Sequence, residues 1–214
     1  MIFHFQVSLG PTVHTKKEKK HDTWPKQSQP EYLAEGNWPY FSYSEHAKYL
    51  AGHHGNAIFS KFMLSEIKHV TLSKFSRSSR GILYCMIHPF DDTKPLHLVC
   101  VHFGMLKTNR HFQIKNLINL LSNIDPEDAI ILAGDFNDWR VSDTSQLEIS
   151  LGLSEAYKFS TGDYAKTYPA IKPLLKNDRI YYRGINLLEV KCLSSKVWKS
   201  LSDHLPLVAK FACP

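Results

Sequence analysis

The chain has 214 residues, 43% of them apolar, enough to bury one large core without marking a second domain or a disordered half. Its formal charge of +6 and pI near 9.0 favour an anionic partner such as nucleic acid, phospholipid headgroups or a small phosphodiester. No stretch reaches the ~18 apolar residues that cross a bilayer, so a transmembrane helix is excluded.

The chain opens in a strand-like stretch, 2–7, without the basic start or cleavage site of a secretion signal. A polar loop follows, in which Lys16, Lys17, Lys19 and Lys20 form a run read first as a solvated surface. Residues 30–35 predict a short helix, with Pro30 in its first turn and Gly36 at its end. An aromatic-rich strand is predicted over 40–43, and strands over 57–60, 67–72, 81–88 and 96–103 follow at hairpin-like spacings that imply antiparallel pairing. Thr108 or Asn109 caps a helix running to Ser122, whose Ile114, Leu117, Ile118 and Leu121 recur at threes and fours. The continuous apolar run 129–133 reads as a strand covered on both faces. A weak helix over 146–151 closes at Gly152, and strands follow over 179–182, 186–192 and 205–211. Many strands with few helices predict an α/β fold of packed sheets with helices outside, as a single domain over 1–214. Cys85, Cys100, Cys192 and Cys213 show no CxxC spacing, and they read as reduced thiols of a cytoplasmic protein. Trp38, Tyr40, Trp139 and Tyr164 are assigned mainly to sheet packing.

Chemistry concentrates in four places. In Gly134-Asp135-Phe136-Asn137, Asp135 and Asn137 stand two apart on extended chain and point the same way. A carboxylate suits a hard cation such as Mg²⁺, and an amide beside it can hold a phosphate oxygen or a water. Ser202-Asp203-His204-Leu205-Pro206-Leu207 adds a carboxylate and an imidazole able to move a proton near neutral pH. Asp178 opens a strand and is the natural orienter of His204, against the plainer alternative of a surface ion pair with Arg179. His102 ends a strand, where an imidazolium can neutralise charge on a phosphoryl group.

The ordered set Gly55-Asn56-Ala57-Ile58, Val101-His102-Phe103, Gly134-Asp135-Phe136-Asn137, Asp178-Arg179-Ile180 and Ser202-Asp203-His204-Leu205-Pro206-Leu207 resembles the endonuclease/exonuclease/phosphatase superfamily from about Tyr32 onward. Gly52-His53-His54-Gly55-Asn56-Ala57, Arg80-Gly81-Ile82-Leu83-Tyr84-Cys85 and the extension Asp138-Trp139-Arg140 resemble a small bacterial branch of it. The resemblance implies a DNase I-like four-layer sandwich of two mainly antiparallel sheets flanked by helices, with the site at one end. It also implies hydrolysis of a phosphodiester with Mg²⁺ or Mn²⁺, without an obligate protein partner. Asp135 and Asp203 would sit near the ion, and Asn137 would bind phosphate or position the attacking group. His204, held by Asp178, would assist proton transfer, while His102 would stabilise the transition state. Superfamily members normally open with a strand carrying Asn and a second ending in Gln-Glu. Here the first is expected to be missing and segment 2–10 to match the second, with Gln6 in place and Val7 where the metal-binding Glu stands. Glu18 and Glu31 are the nearest substitutes, and a catalytically inactive remnant, or a module that binds phosphate or nucleic acid, is the competing expectation.

Overall fold

The computed structural model describes residues 2–4, 28–49, 52–72, 80–89 and 94–212. Gln6, Val7, Glu18, the lysine run and Cys213 lie outside the described residues. In chain order the elements are β1 (Ile2–His4), α1 (Gln29–Ala34), β2 (Tyr40–Tyr49), β3 (Gly52–Ser60), β4 (Ser65–Thr71), β5 (Gly81–Ile87), β6 (Leu96–His102) and α2 (Lys107–Leu121). They continue with β7 (Ala129–Asp135), α3 (Ser145–Leu151), β8 (Ser154–Glu155), α4 (Ala156–Thr161), β9 (Asp178–Arg183), β10 (Asn186–Cys192), α5 (Lys196–Leu201) and β11 (Leu207–Ala212).

A six-stranded sheet of order β4-β5-β6-β7-β9-β8 forms the centre. The expected antiparallel pairing holds for β4–β5 and β5–β6; β7 and β9 are also antiparallel, whereas β6 and β7 run parallel. That exception follows from connectivity: a parallel neighbour needs a crossover, and α2 supplies it. Burial on both faces explains the unbroken apolar run of β7: Ile130 and Leu132 face the helices, and Ile131 faces the second sheet layer.

On one face of this sheet, α2 and α3 pack Ile114, Leu117, Leu121, Leu147 and Leu151 onto Val99, Val101, Ile130 and Leu132. On the other, Ile58 of β3 and Ala209 and Phe211 of β11 meet Leu83, Cys85, Leu98 and Ile131. This second layer is made of two sheets among the described residues, β1-β11-β10 and β2-β3, where one was expected. Outside it, α1 covers β2–β3 through Ala34, Ala57 and Phe59, completing the order helix, sheet, sheet, helix. Asn56 fastens the two sheet layers, since its buried amide donates to the carbonyls of Gly81 at 2.9 Å and Cys100 at 3.0 Å.

Several boundaries shift for local reasons. Helix α2 begins before Thr108, because the Arg110 N–H already donates to the Leu106 carbonyl at 3.0 Å and no side chain caps the end. Strand β11 starts after Pro206, which has no N–H to give a ladder, and Leu205 donates instead to the Thr167 carbonyl at 2.9 Å. Gly152 ends α3 in the left-handed region at φ 62°, as its position predicted. Elements α4, α5 and β8 were not predicted, being too short for a periodic signal. Glu31 forms a capping box with Ser28 on α1, so it serves that helix and not a metal. Cys85 and Cys100 are buried free thiols and Cys192 is a half-buried one. Among the described residues no helix is long and apolar enough to cross a membrane.

Gly134 sits at φ 150° where a Cβ would strike the Val101 carbonyl of β6. Gly134→Ala is therefore expected to destabilise the domain by about 3 kcal/mol or more, read from its urea unfolding midpoint.

Candidate active site

Strand register builds the site. His102 of β6 pairs with Asp135 of β7, and Asp135 pairs with Asp178 of β9, so the three occupy one row across neighbouring strands. The parallel pair brings two C-terminal ends to the same edge, and antiparallel β9 brings its N-terminal end there. His204 arrives from the turn ahead of β11, and its Nδ1 lies 2.7 Å from Asp178 Oδ2. Four of the predicted residues are thus brought together. Arg179 does not pair with Asp178, because alternation along β9 turns it into the core, where it is 1% exposed.

Asp178 is held from two sides. Thr167 donates its hydroxyl to Asp178 Oδ2 at 2.5 Å and accepts the Asp178 backbone N–H at 3.3 Å. The Tyr168 ring packs on His204 with centroids 4.7 Å apart. Neither Thr167 nor Tyr168 was found in the sequence, since they come from a loop without periodicity and touch the site only through folding.

Asp135 is 6% exposed and faces a second carboxylate across the ladder. Burial, and then the charge of Asp178, push its carboxyl up to about 7, against the pull of His204 and of the Asn137 N–H. Burial disfavours the imidazolium of His204, yet the hydrogen bond and charge of Asp178 outweigh it, and with Asp135 and Asp203 they raise the ring to about 9. His102 Nε2 stands 3.5 Å from Asp135 Oδ2.

Asn137 was expected to reach a phosphate oxygen or the attacking group. Its backbone N–H donates to Asp135 Oδ1 at 2.8 Å, and its amide nitrogen to Phe103 O at 2.9 Å and Asp135 Oδ2 at 3.2 Å. The backbone N–H and one side-chain amide hydrogen therefore orient Asp135, while the Phe103 carbonyl takes the other. A left-handed backbone at φ 49°, which Asn tolerates, makes this loop-back possible.

Beneath lies a charged support that the sequence did not disclose. Buried Asp138 accepts from the backbone of Ser142, Asp143 and Thr144, which hold its carboxyl below its usual value although burial opposes this. Buried Arg110 of α2 binds Asp143 Oδ2 at 3.1 Å and the carbonyls of Met105 and Asn137, both at 3.0 Å. Arg179 donates to the Asp138 carbonyl and the Thr144 hydroxyl, and stacks over the Tyr164 ring at 4.7 Å. Tyr164 is buried as assigned, while Tyr40 and Trp139 are 40% and 39% exposed and do not fill the sheet interface.

Mg²⁺ is held through one or two carboxylates, with water and substrate oxygens completing its shell. Asp135 suits that role: it is buried beside another carboxylate, and a cation there would offset the cost of its charge. Asp203 is exposed next to His204, and its carbonyl accepts from Ala170 N at 2.7 Å. Among the described residues no group of three or more His, Cys, Asp and Glu side chains is gathered for a metal. The residues present fit a hard cation held through carboxylate, water and substrate oxygen, and do not form an all-protein cage.

Fold and site together define a DNase I-like α/β sandwich. The chain belongs to the Endonuclease/Exonuclease/phosphatase family, whose sequence model matches residues 21–204. It is 35% identical over 189 residues to the uncharacterized protein YbhP of Escherichia coli K12, covering 88% of this chain and 75% of that one. Among solved structures, a functionally unknown conserved protein from Enterococcus faecalis V583 superposes with a TM-score of 0.67 at 19% identity, over 82% of this chain and 77% of that one. The human Nocturnin catalytic domain with bound sulfate gives 0.66 at 18% identity, over 81% and 72%.

Arg110→Met is expected to leave Asp143 buried without its partner and to cost about 3 kcal/mol, measured by chemical denaturation. Loss of under about 1 kcal/mol would show that the guanidinium does not hold the loop.

Proposed function

We propose that this protein is a divalent-metal-dependent phosphoesterase that hydrolyses a phosphodiester. The observation that carries this reading is the hydrogen bond of 2.7 Å between Asp178 and His204, set beside the buried carboxylate of Asp135. Phosphoryl transfer asks a protein chiefly for positioning and charge neutralisation, and this row supplies both.

Asp178 takes Nδ1 of His204, which leaves Nε2 as the nitrogen that exchanges a proton with water or with the departing oxygen. Thr167 and Tyr168 keep the ring from turning away. His102, about one-third exposed at the row's open side, would face a phosphoryl oxygen. Asn137 fixes both oxygens of Asp135. Asp135, with Asp203 beside His204, would hold Mg²⁺ or Mn²⁺, which when bound neutralises phosphoryl charge and orients water. Water then attacks phosphorus in line, one P–O bond forms as the opposite one breaks, and the alcohol leaves carrying a proton.

With a generic activated phosphodiester and Mg²⁺ or Mn²⁺, His204→Ala is expected to lower turnover about 10³-fold. Asp178→Asn keeps the shape but removes the charge that steadies the ring, and about 10²-fold is expected. Chelation of divalent ions should abolish turnover, and re-addition should restore it. Wild-type turnover no higher than that of His204→Ala would refute the hydrolase reading while leaving the fold untouched.

A further inference from the structure

Three loops leave the edge of the central sheet where His102, Asp135 and Asp178 are aligned. Each presents an exposed apolar residue followed directly by an exposed basic one. After β6 the pair is Leu106-Lys107, with Leu106 66% exposed. After β7 it is Trp139-Arg140, and ahead of β9 it is Ile171-Lys172, with Ile171 82% exposed.

These loops are anchored to the site. One nitrogen of Arg110 binds the carbonyls of both Met105 and Asn137, which ties the first loop to the second. Ala170 N donates to the Asp203 carbonyl at 2.7 Å, which ties the third to the turn carrying His204. Ile149 and Phe159 are also exposed, but Glu148 precedes the one, and Lys158 beside the other is bonded to Glu148. Single exposed apolar residues are ordinary, and Ile67-Lys68 repeats the step once within β4, whereas here it recurs on three loops that leave one sheet edge.

The chemistry of the pairs selects the occupant. Leu106 and Ile171 are aliphatic and give a base nothing to stack upon, but they partition well into the boundary between headgroups and acyl chains, where the amphipathic ring of Trp139, the one aromatic of the three, also settles. Lysine and arginine beside them match the negative surface potential of an anionic leaflet, in keeping with a formal charge of +6. We propose that this rim docks the protein on an anionic phospholipid surface and turns the catalytic edge toward headgroup phosphodiesters; the second half rests on the phosphoesterase reading.

The test is co-sedimentation with vesicles of phosphatidylcholine alone and of phosphatidylcholine with phosphatidylserine. Wild type is expected to bind the anionic vesicles and to leave the zwitterionic ones largely unbound. The double variant Leu106→Ser/Ile171→Ser should weaken binding about tenfold. Lys107→Gln and Lys172→Gln should each weaken it about fivefold, an effect that added salt diminishes. All four changes are at exposed positions, and circular dichroism checks that the variants fold. No binding by wild type, or equal binding by the serine variant, overturns the proposal. Displacement of the protein from vesicles by a single-stranded DNA oligonucleotide that the serine variant binds as tightly as wild type overturns it in favour of nucleic acid. His204→Ala should sediment as wild type does. Turnover of a soluble phosphodiester without vesicle binding therefore removes the docking proposal alone, and binding without turnover removes the hydrolase reading alone.

Discussion

Two carboxylates side by side in a buried place repel each other, and the contact of His204 with Asp178 is what lets Asp135 and Asp178 share one edge of a sheet. Antiparallel pairing of β7 with β9 sets them opposite each other, and no side-chain rotation can undo that register. The imidazole, 2.7 Å from one and electrostatically coupled to the other, supplies the compensating charge. The rest of the site is organised to keep that ring in place and that charge satisfied, from the Thr167 hydroxyl to the Tyr168 ring.

The charges below the site obey a different logic. Asp138, Asp143, Arg110 and Arg179 are all nearly inaccessible, and each is spent on backbone groups or on an opposite charge. Apolar residues could fill this volume with as much stability, but they could not hold a loop of irregular backbone in one conformation. Since that loop carries Asn137, which orients Asp135, the buried ions act on the Asp135 carboxylate through two links.

How much of this was legible in the sequence depended on the kind of signal. The acid and imidazole residues stood at strand ends within short motifs, so Asp135, Asp178, His102 and His204 were named before any contact was known. Helix α2 announced itself by the recurrence of Ile114, Leu117 and Leu121, which the structure buries. What escaped had no local signature. Thr167 lies eleven positions before Asp178 in irregular chain and meets it only because the loop folds back through the Tyr168–Leu175 bridge. Arg110 looked like one more polar residue in the first turn of a helix, and nothing nearby in sequence tells that its partners are Asp143 and the Asn137 carbonyl. The parallel step from β6 to β7 is of another kind, since the helix expected between the two strands already supplies the crossover that a parallel neighbour needs.

Arg110 also makes a mechanical unit of parts that sequence keeps far apart. Because a single guanidinium grips the turn after β6 and the bend after β7, a force applied to one surface loop is delivered to the neighbour that follows Asp135. The geometry amounts to a rigid lever whose long arm lies in solvent and whose short arm ends at Asp135. A substitution in either turn therefore bears on the alignment of Asp135 as well as on the surface it sits in.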